Sequence, residues 1–250
     1  MSLKHDSFKK VRKEKNKWRL ETPEDFLEME ETFLKERLQS KEPTITTTVR
    51  ITGGKARNFL LEVPKATRPM TDRLKVRVFD RLREDIVNKE VLDLYAGAGS
   101  FGLEALSRGA KTATFVDASK NANIVLKKNV AHTGFLIESD IVKEKVEEYL
   151  FQMINNEEEI PTFDIIFMDP PYKLFNTKKT FKMEQIINMA SELLPGVQDK
   201  NTKKWKGALI LKHPKRYDFE KIGLKHLRLV ESINLGLNVI SFFIVSSNSN

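Results

Sequence analysis

The sequence lacks cysteine: none occurs among its 250 residues. This absence excludes a disulfide framework, a thiol nucleophile and any zinc or iron–sulfur site held by cysteine, and it favours a reducing, cytoplasmic location. Long apolar runs are also missing, since no stretch approaches the roughly 18 residues that a membrane helix needs. The first residues are mixed in charge, so we expect no secretory signal. Because His5, His132 and His226 show no ligand spacing, we also expect no metal site.

Charge is placed unevenly along the chain. The formal net charge is +8, from 43 lysines and arginines against 35 acidic residues. Residues 1–19 hold eight basic and two acidic residues, and residues 50–83 hold ten and three. Residues 20–49 are acidic, whereas residues 84–250 are balanced with 22 of each sign. A polyanion that contacts the N-terminal third is the simplest interpretation, and an uninformative scatter of lysines is the alternative.

The patterning predicts three segments. Residues 1–48 comprise a basic arm, an acidic amphipathic helix that begins at Thr22, and a linker at 40–48. Residues 49–83 form a small hairpin and a helix, and residues 84–250 form an α/β domain.

The second segment carries basic residues on both of its elements. Two short strand-like runs flank Gly53-Gly54, which indicates a hairpin. Thr71 is the expected cap of a helix with one apolar stripe, and the rest of its surface is predicted to be basic. The stripe consists of Leu74, Val78, Phe79 and Leu82, and the predicted surface carries Arg73, Lys75, Arg77, Arg81 and Arg83.

The third segment alternates strands with helices. Because crossover helices join most of the strands, we expect a mostly parallel sheet covered on both faces. The last two strands are joined by a tight turn at Gly236 and should form an antiparallel pair. Strands are predicted at 91–95, 113–117, 135–139, 163–169, 207–212, 227–234 and 238–246, and helices at 103–108, 120–132, 141–154 and 183–194.

A glycine-rich loop follows the first strand of this domain. Residues 97–102 read G-x-G-x-x-G, a pattern that lets the backbone approach a ligand closely at a helix N-terminus. Asp117 lies twenty residues after Gly97, at the end of the next strand, where a carboxylate can accept hydrogen bonds from both ribose hydroxyls. These features fit a nicotinamide dehydrogenase as well as an S-adenosylmethionine enzyme, and a glycine-rich turn without a ligand is the third alternative.

An acidic residue before the glycines distinguishes the two cofactors. Asp93 lies inside the first strand, where a carboxylate would repel the anionic pyrophosphate of a dinucleotide. The amino and sulfonium groups of S-adenosylmethionine are cationic, so the same carboxylate would attract them. The sequence therefore favours S-adenosylmethionine.

The run Asp169-Pro170-Pro171-Tyr172 ends another buried strand, at the sheet edge where ligands bind in open α/β folds. The exocyclic amine of a base is a poor nucleophile because its lone pair is delocalised into the ring. The Asp169 carboxylate and the Pro170 carbonyl can accept its two N–H groups and direct the lone pair at a methyl donor. Tyr172 can stack on the base. A plain turn at the end of a strand is the alternative.

Several segments resemble one family, the bacterial 16S ribosomal RNA guanine-N2 methyltransferases. The similarity covers roughly residues 49–246 and is carried by residues 50–64, 68–82, 91–110, 163–172 and 234–243. It implies a Rossmann-like methyltransferase sheet that is mostly parallel with an antiparallel C-terminal strand pair. A small β-hairpin and helix module and an N-terminal extension would precede that sheet. It also implies transfer of a methyl group from S-adenosylmethionine to N2 of a guanine, in free ribosomal RNA or an assembling small subunit, by a monomer.

The resemblance assigns roles to individual residues. Asp140, expected after the third strand, would meet the adenine amine of the cofactor, and Asp169, Pro170 and Tyr172 would hold the target base. The other cofactor residues would be Asp93, Tyr95, Gly97, Gly99 and Asp117, and the predicted RNA contacts are Arg50, Lys55, Arg57, Arg68, Arg73 and Arg77.

The chain departs from the family pattern at a few positions, and these departures leave the substrate open. They are Asn58-Phe59, Lys75-Val76, Ser119 and Lys212-His213. One alternative is an adenine-N6 methyltransferase of DNA or RNA, because the Asp-Pro-Pro-Tyr chemistry suits any exocyclic amine. Another is a non-catalytic RNA-binding or ribosome-assembly factor that retains the fold. A lone histidine is more often structural than catalytic, so His213 is expected to be structural.

Overall fold

The computed structural model describes residues 45–65, 70–156, 160–175, 180–195, 207–217, 219 and 223–245. The features predicted for residues 1–44 and the predicted RNA contact Arg68 lie outside them.

The described residues form nine strands and five α-helices. The strands are β1 (Ile45–Arg50), β2 (Leu60–Pro64), β3 (Glu90–Leu94), β4 (Thr112–Val116), β5 (Ser139–Val142), β6 (Ile165–Met168), β7 (Ala208–Pro214), β8 (Leu227–Leu235) and β9 (Asn238–Val245). The helices are α1 (Asp72–Leu82), α2 (Ser100–Ser107), α3 (Lys120–Thr133), α4 (Val146–Ile154) and α5 (Thr180–Glu192). Short 3₁₀ turns span Arg83–Ile86 and Tyr172–Phe175.

Seven strands form one sheet in the order β5-β4-β3-β6-β7-β9-β8. The pairs from β5 to β7 are parallel, whereas β9 runs antiparallel to both β7 and β8. The predicted α/β sheet, mostly parallel with an antiparallel C-terminal strand pair, is confirmed.

The sheet is buried on both faces, and this explains the apolar runs of its central strands. In β6, Phe167 contributes to the core on one face, together with α1, α2 and α3. Its neighbour Met168 contributes to the core on the other face, with α4 and α5. Alternate residues of a strand point to opposite faces, so the sheet is the middle layer of three.

The predicted hairpin is confirmed, with β1 and β2 antiparallel. Its loop lies on the C-terminal end of α2: Lys55 N donates to Ser107 O at 2.7 Å, and Ser107 Oγ donates to Gly53 O at 2.6 Å. A Cβ at Gly54 would lie 1.8 Å from Ser107 O, and Gly54 has φ of +76°. Only glycine therefore allows this close approach. β1 begins at Ile45, so the linker predicted at 40–48 was wrong for its last four residues.

Helix α1 has the predicted apolar stripe, but one basic residue is not where it was expected. Lys75 is fully buried, although the sequence placed it on the basic surface. The reason is Glu104 of α2, whose buried carboxylate lies 3.5 Å from Lys75 Nζ. Thr71 takes the N-cap position as predicted, without a capping hydrogen bond from its side chain.

Strand β5 and helix α4 begin later than predicted. The sequence placed a strand at 135–139, but Phe135 N donates to Val130 O at the end of α3, and the chain turns before β5 starts. Leu136 and Ile137 suggested a strand although both are exposed. Helix α4 consequently starts at Val146, not near residue 141.

Candidate active site

The carboxyl ends of four parallel strands bring three acids and one lysine to the same edge. Leu94 pairs with Val116 and with Met168, and Met168 pairs with Leu211. The residues that directly follow on β4, β6 and β7 are Asp117, Asp169 and Lys212, while Asp93 comes one residue earlier on β3. Chain segments far apart in sequence therefore meet where open α/β sheets bind ligands.

Backbone N–H groups of the glycine-rich loop bind two of these carboxylates. Asp93 Oδ2 accepts from Gly102 N at 2.9 Å, and Asp117 Oδ2 accepts from Gly97 N at 2.8 Å. Asp117 Oδ1 accepts from Ser119 N at 2.8 Å. The acids predicted to contact a cofactor thus also fix the loop that would surround it.

Two glycines of this loop are required by close packing. Gly99 has φ of +80° and precedes α2, and a Cβ there would lie 2.5 Å from the Leu126 side chain. A Cβ at Gly102 would lie 2.2 Å from the Phe115 ring. The last glycine of the motif therefore serves the packing of α2 on β4, a role that its spacing alone did not reveal.

Electrostatics favour a cation at this edge. Asp93 is 2% exposed, and its burial raises the pKa of its carboxyl well above the ordinary value, with the charges of Asp169 and Asp117 adding to the effect. Burial also raises the pKa of Asp117. A cationic ligand would compensate the carboxylate charge that the protein here leaves partly unbalanced.

Tyr95 follows β3 with a left-handed φ of +62°. Its hydroxyl oxygen is buried, with no hydrogen-bond partner within the described part of the chain. Burial raises the pKa of this phenol, and the nearby charges of Glu147 and Asp117 raise it further. A buried hydroxyl without a partner is unusual in a native fold and fits a residue that meets a ligand.

Asp169 and the two prolines lie at the end of β6 as predicted. Asp169 N donates to Leu94 O at 3.4 Å, Pro170 is buried, and Tyr172 begins a 3₁₀ turn. Both Asp169 carboxylate oxygens accept hydrogen bonds from Lys212 Nζ, each at 2.7 Å. Sequence reasoning missed this partner because the two residues are 43 positions apart.

Asp140 does not follow the third strand as expected. It is the second residue of β5, pairs in register with Thr114, and is exposed. The error follows from the misplaced strand start. Glu144, half-buried and two residues beyond the end of β5, is an acid that does lie past this carboxyl end.

His213 is held within the protein through both ring nitrogens. Nδ1 lies 3.0 Å from Pro214 O and Nε2 lies 2.8 Å from Ser241 Oγ. Nδ1 therefore carries the proton donated to the carbonyl, and the hydroxyl donates to Nε2. Burial lowers the pKa of the imidazole, and the Phe219 ring contacts it edge-on at 4.7 Å. These contacts agree with the structural role expected of this residue.

The predicted RNA contacts that the structure describes are exposed basic side chains. Lys55 and Arg57 lie on the hairpin loop, and Arg73 and Arg77 on α1. Arg50 ends β1 and forms an ion pair with Asp72 at 3.0 Å, which joins the hairpin to the first turn of α1. The two basic elements are therefore neighbours.

Two further kinds of feature are absent from the described residues. No group of three or more His, Cys, Asp or Glu side chains there is arranged to hold a metal ion. None of the helices in these same ranges has both the length and the apolar composition needed to cross a bilayer.

Comparison with known proteins finds a matching family model and similar curated proteins. A family model described as conserved hypothetical protein 95 matches residues 49–231. The ribosomal RNA small subunit methyltransferase D of Haemophilus influenzae is 37% identical over 147 residues, which are 58% of this chain and 71% of that protein. The protein of the same name from Escherichia coli K12 is 35% identical over 160 residues, 60% of this chain and 77% of that one.

Two solved structures of similar proteins have the same fold as this chain. A hypothetical protein from Thermus thermophilus is 31% identical with a TM-score of 0.59, covering 78% of this chain and 98% of its own. A putative methylase from Haemophilus influenzae is 27% identical with a TM-score of 0.58, covering 79% and 98%. The family model spans most of the chain, and both curated relatives are matched over more than two thirds of their length. The chain therefore belongs to the family whose model is described as conserved hypothetical protein 95, and to that of the ribosomal RNA small subunit methyltransferases D.

Proposed function

We propose that this protein transfers a methyl group from S-adenosylmethionine to the N2 amine of a guanine in small-subunit ribosomal RNA. The observation that carries the proposal is the position of Asp169-Pro170-Pro171-Tyr172 beside Asp93 and the glycine-rich loop, at one sheet edge. The names of the curated relatives support ribosomal RNA as the substrate. The combination of motifs across residues 49–246 supports guanine N2.

The residues at the edge fit S-adenosylmethionine. This cofactor supplies a methyl group that its sulfonium has already activated, so the protein contributes orientation and electrostatics. Asp93 offers a buried carboxylate to cationic groups, and Asp117 offers a half-buried one to hydroxyls. The Tyr95 hydroxyl, which has no hydrogen-bond partner among the described residues, is a further polar group for the ligand.

The target amine is activated by acceptors of this chain. The Asp169 carboxylate and the Pro170 carbonyl accept its two N–H groups, which localises the nitrogen lone pair for attack on the methyl carbon. As the new N–C bond forms, the methyl–sulfur bond breaks and its electron pair stays on the sulfur, and the nitrogen then loses one proton to solvent. Tyr172 stacks on the base. A base inside a helix cannot reach this edge, so it must be single-stranded or flipped out of its stack.

Methyl transfer to defined acceptors tests the proposal. We expect label from S-adenosylmethionine carrying a labelled methyl group to enter small subunits or free ribosomal RNA and to be recovered as N2-methylguanosine after digestion. Recovery as N6-methyladenosine, or labelling of DNA alone, would transfer the assignment to the adenine-N6 alternative. Binding of RNA without any transfer would favour the non-catalytic factor.

Arg73 and Arg77 should supply phosphate contacts. Both are exposed on α1, next to the basic hairpin. Replacing both by glutamine should weaken RNA binding several-fold and reduce the slope of log affinity against log salt by about one per lost contact. Lys128→Gln, which removes an exposed charge from α3, is the matched control. An unchanged salt slope in the double variant would assign RNA binding to another surface.

A further inference from the structure

We infer that Lys212 is the positioning residue of the proposed methyl transfer, because its ammonium fixes the Asp169 carboxylate that would grip the target amine. The inference rests on the proposed function. Lys212 Nζ lies 2.7 Å from each Asp169 oxygen, and the two side chains are 10% and 22% exposed. An ion pair that is short, two-pronged and largely shielded from water holds its two groups in one geometry more firmly than an exposed pair does.

The sheet places the two side chains together. Leu211 pairs with Met168, so the next residues, Lys212 and Asp169, lie side by side on β7 and β6. Lys212 is two residues after Ile210, and Asp169 is two residues after Phe167. Both side chains therefore point to the face of the sheet on which Ile210 and Phe167 contribute to the core. Lys212 ends an otherwise buried apolar run, so its charge requires a partner. Within the described residues, Asp169 is the acid at ion-pair distance.

The contact does two things for chemistry. First, the terminal torsion of a free aspartate is broad, and two simultaneous hydrogen bonds restrict it to one orientation. Each carboxylate oxygen keeps lone-pair capacity for an incoming N–H group, since an ionised carboxylate offers about four acceptor positions. The carboxylate is therefore oriented before the base arrives, and no reorganisation is needed at the moment of reaction.

Second, the pair places its positive charge at one end of the row of acids along the sheet edge. From β4 to β7 the sequence of groups is Asp117, Asp93, Asp169 and Lys212. The cation lies on the side of Asp169 away from the acids proposed to face the cationic cofactor. Lys212 thus balances the charge of Asp169 without adding a positive group between Asp93 and Asp117.

Lys212→Met separates this role from a merely structural one. We expect kcat to fall about 10- to 100-fold, since loss of orientation at a reacting group has effects of this size. The affinity for S-adenosylmethionine should not weaken, because removing a cation makes the edge more negative. Lys215→Met, which removes an exposed lysine three residues further along, is the matched control. If Lys212→Met does not fold, Lys212→Gln, which keeps an uncharged NH₂ group in place of the ammonium, takes its place.

Two more variants decide whether the cation acts through Asp169. Lys212→Arg keeps a paired donor and should retain kcat within about fivefold. Adding Lys212→Met to Asp169→Asn should cause no further loss. Wild-type kcat in Lys212→Met, or parallel losses of kcat, cofactor affinity and melting temperature, would overturn the inference. Every variant is compared with the rate of the wild-type protein. Absence of methyl transfer by the wild-type protein would therefore count against the proposed function and not against the role of Lys212.

Discussion

Asp169→Asn should lower the rate of methyl transfer about a hundredfold or more, while RNA and S-adenosylmethionine still bind. The amide has the size of the carboxylate, but one oxygen becomes an NH₂ donor that cannot accept an N–H group of the target base. Removing a single preorganised hydrogen-bonding group from an active site costs rates of this order. Single-turnover transfer, with cofactor binding measured by calorimetry, gives the two quantities separately.

An acid outside the site provides the control for this substitution. Asp80 is exposed on α1, so Asp80→Asn removes the same charge and should leave the transfer rate within about twofold. Retention of more than a tenth of the wild-type rate by Asp169→Asn would mean that another group grips the amine. Loss of cofactor binding in this variant would assign Asp169 to the cofactor pocket instead.

Glu104→Leu should lower the free energy of unfolding by about 3–5 kcal/mol, the range for breaking a buried charge network. Glu104 is 0% exposed, and one of its oxygens accepts from Thr52 N at 2.8 Å and the other from Arg108 Nε at 2.9 Å. Without Glu104, the fully buried ammonium of Lys75 still donates a hydrogen bond to Arg50 O but loses its buried carboxylate partner. Burial already lowers the pKa of Lys75, while Glu104 opposes that shift. Urea denaturation measures the loss.

A double variant and a substitution in an exposed ion pair are the controls for this prediction. Lys75→Met with Glu104→Leu removes both fully buried charges and should recover part of the lost stability, because among the cations of this network only Arg108, whose side chain is 20% exposed, is then left without its anion. Glu90→Gln breaks the exposed pair with Lys111, which is 2.6 Å long, and should cost less than about 1 kcal/mol. A Glu104→Leu effect as small as that of Glu90→Gln would disprove the importance of the buried network.

This network joins the basic hairpin to α2, and a second one joins the hairpin to the glycine-rich loop. Asn129 of α3 is 1% exposed, and its Nδ2 donates to Glu62 O on β2 and to Ala98 O in the loop, both at 2.9 Å. Its Oδ1 accepts from Glu62 N at 2.9 Å. The surface proposed to bind RNA and the loop proposed to bind the cofactor are therefore both hydrogen-bonded to the same buried side chain, Asn129. The division of the chain into three segments with separate roles stays a prediction, because the hairpin, α1 and one face of the sheet contribute to a single core.

Local pattern was enough for much of the fold and for the positions of the principal candidates. Strands β3 and β6 are short apolar runs followed by turn signals, and the glycine spacing marks the turn into α2. Asp93, Asp117 and Asp169 were located because each lies at or next to the carboxyl end of such a strand. Asp140 was misplaced because Phe135, Leu136 and Ile137 have strand-like composition in a turn.

The sequence by itself determined the order of elements, the glycine-rich loop and the identity of the acids at the sheet edge, because these depend on residues a few positions apart. Only the tertiary structure decided which charges meet. Lys75 and Glu104 are 29 positions apart and Lys212 and Asp169 are 43 apart, and neither pairing has a local signature. A lysine in a sequence is expected at the surface, because burying its charge is costly. In the part of the chain that the structure describes, the two buried lysines, Lys75 and Lys212, each have a carboxylate from another element within reach.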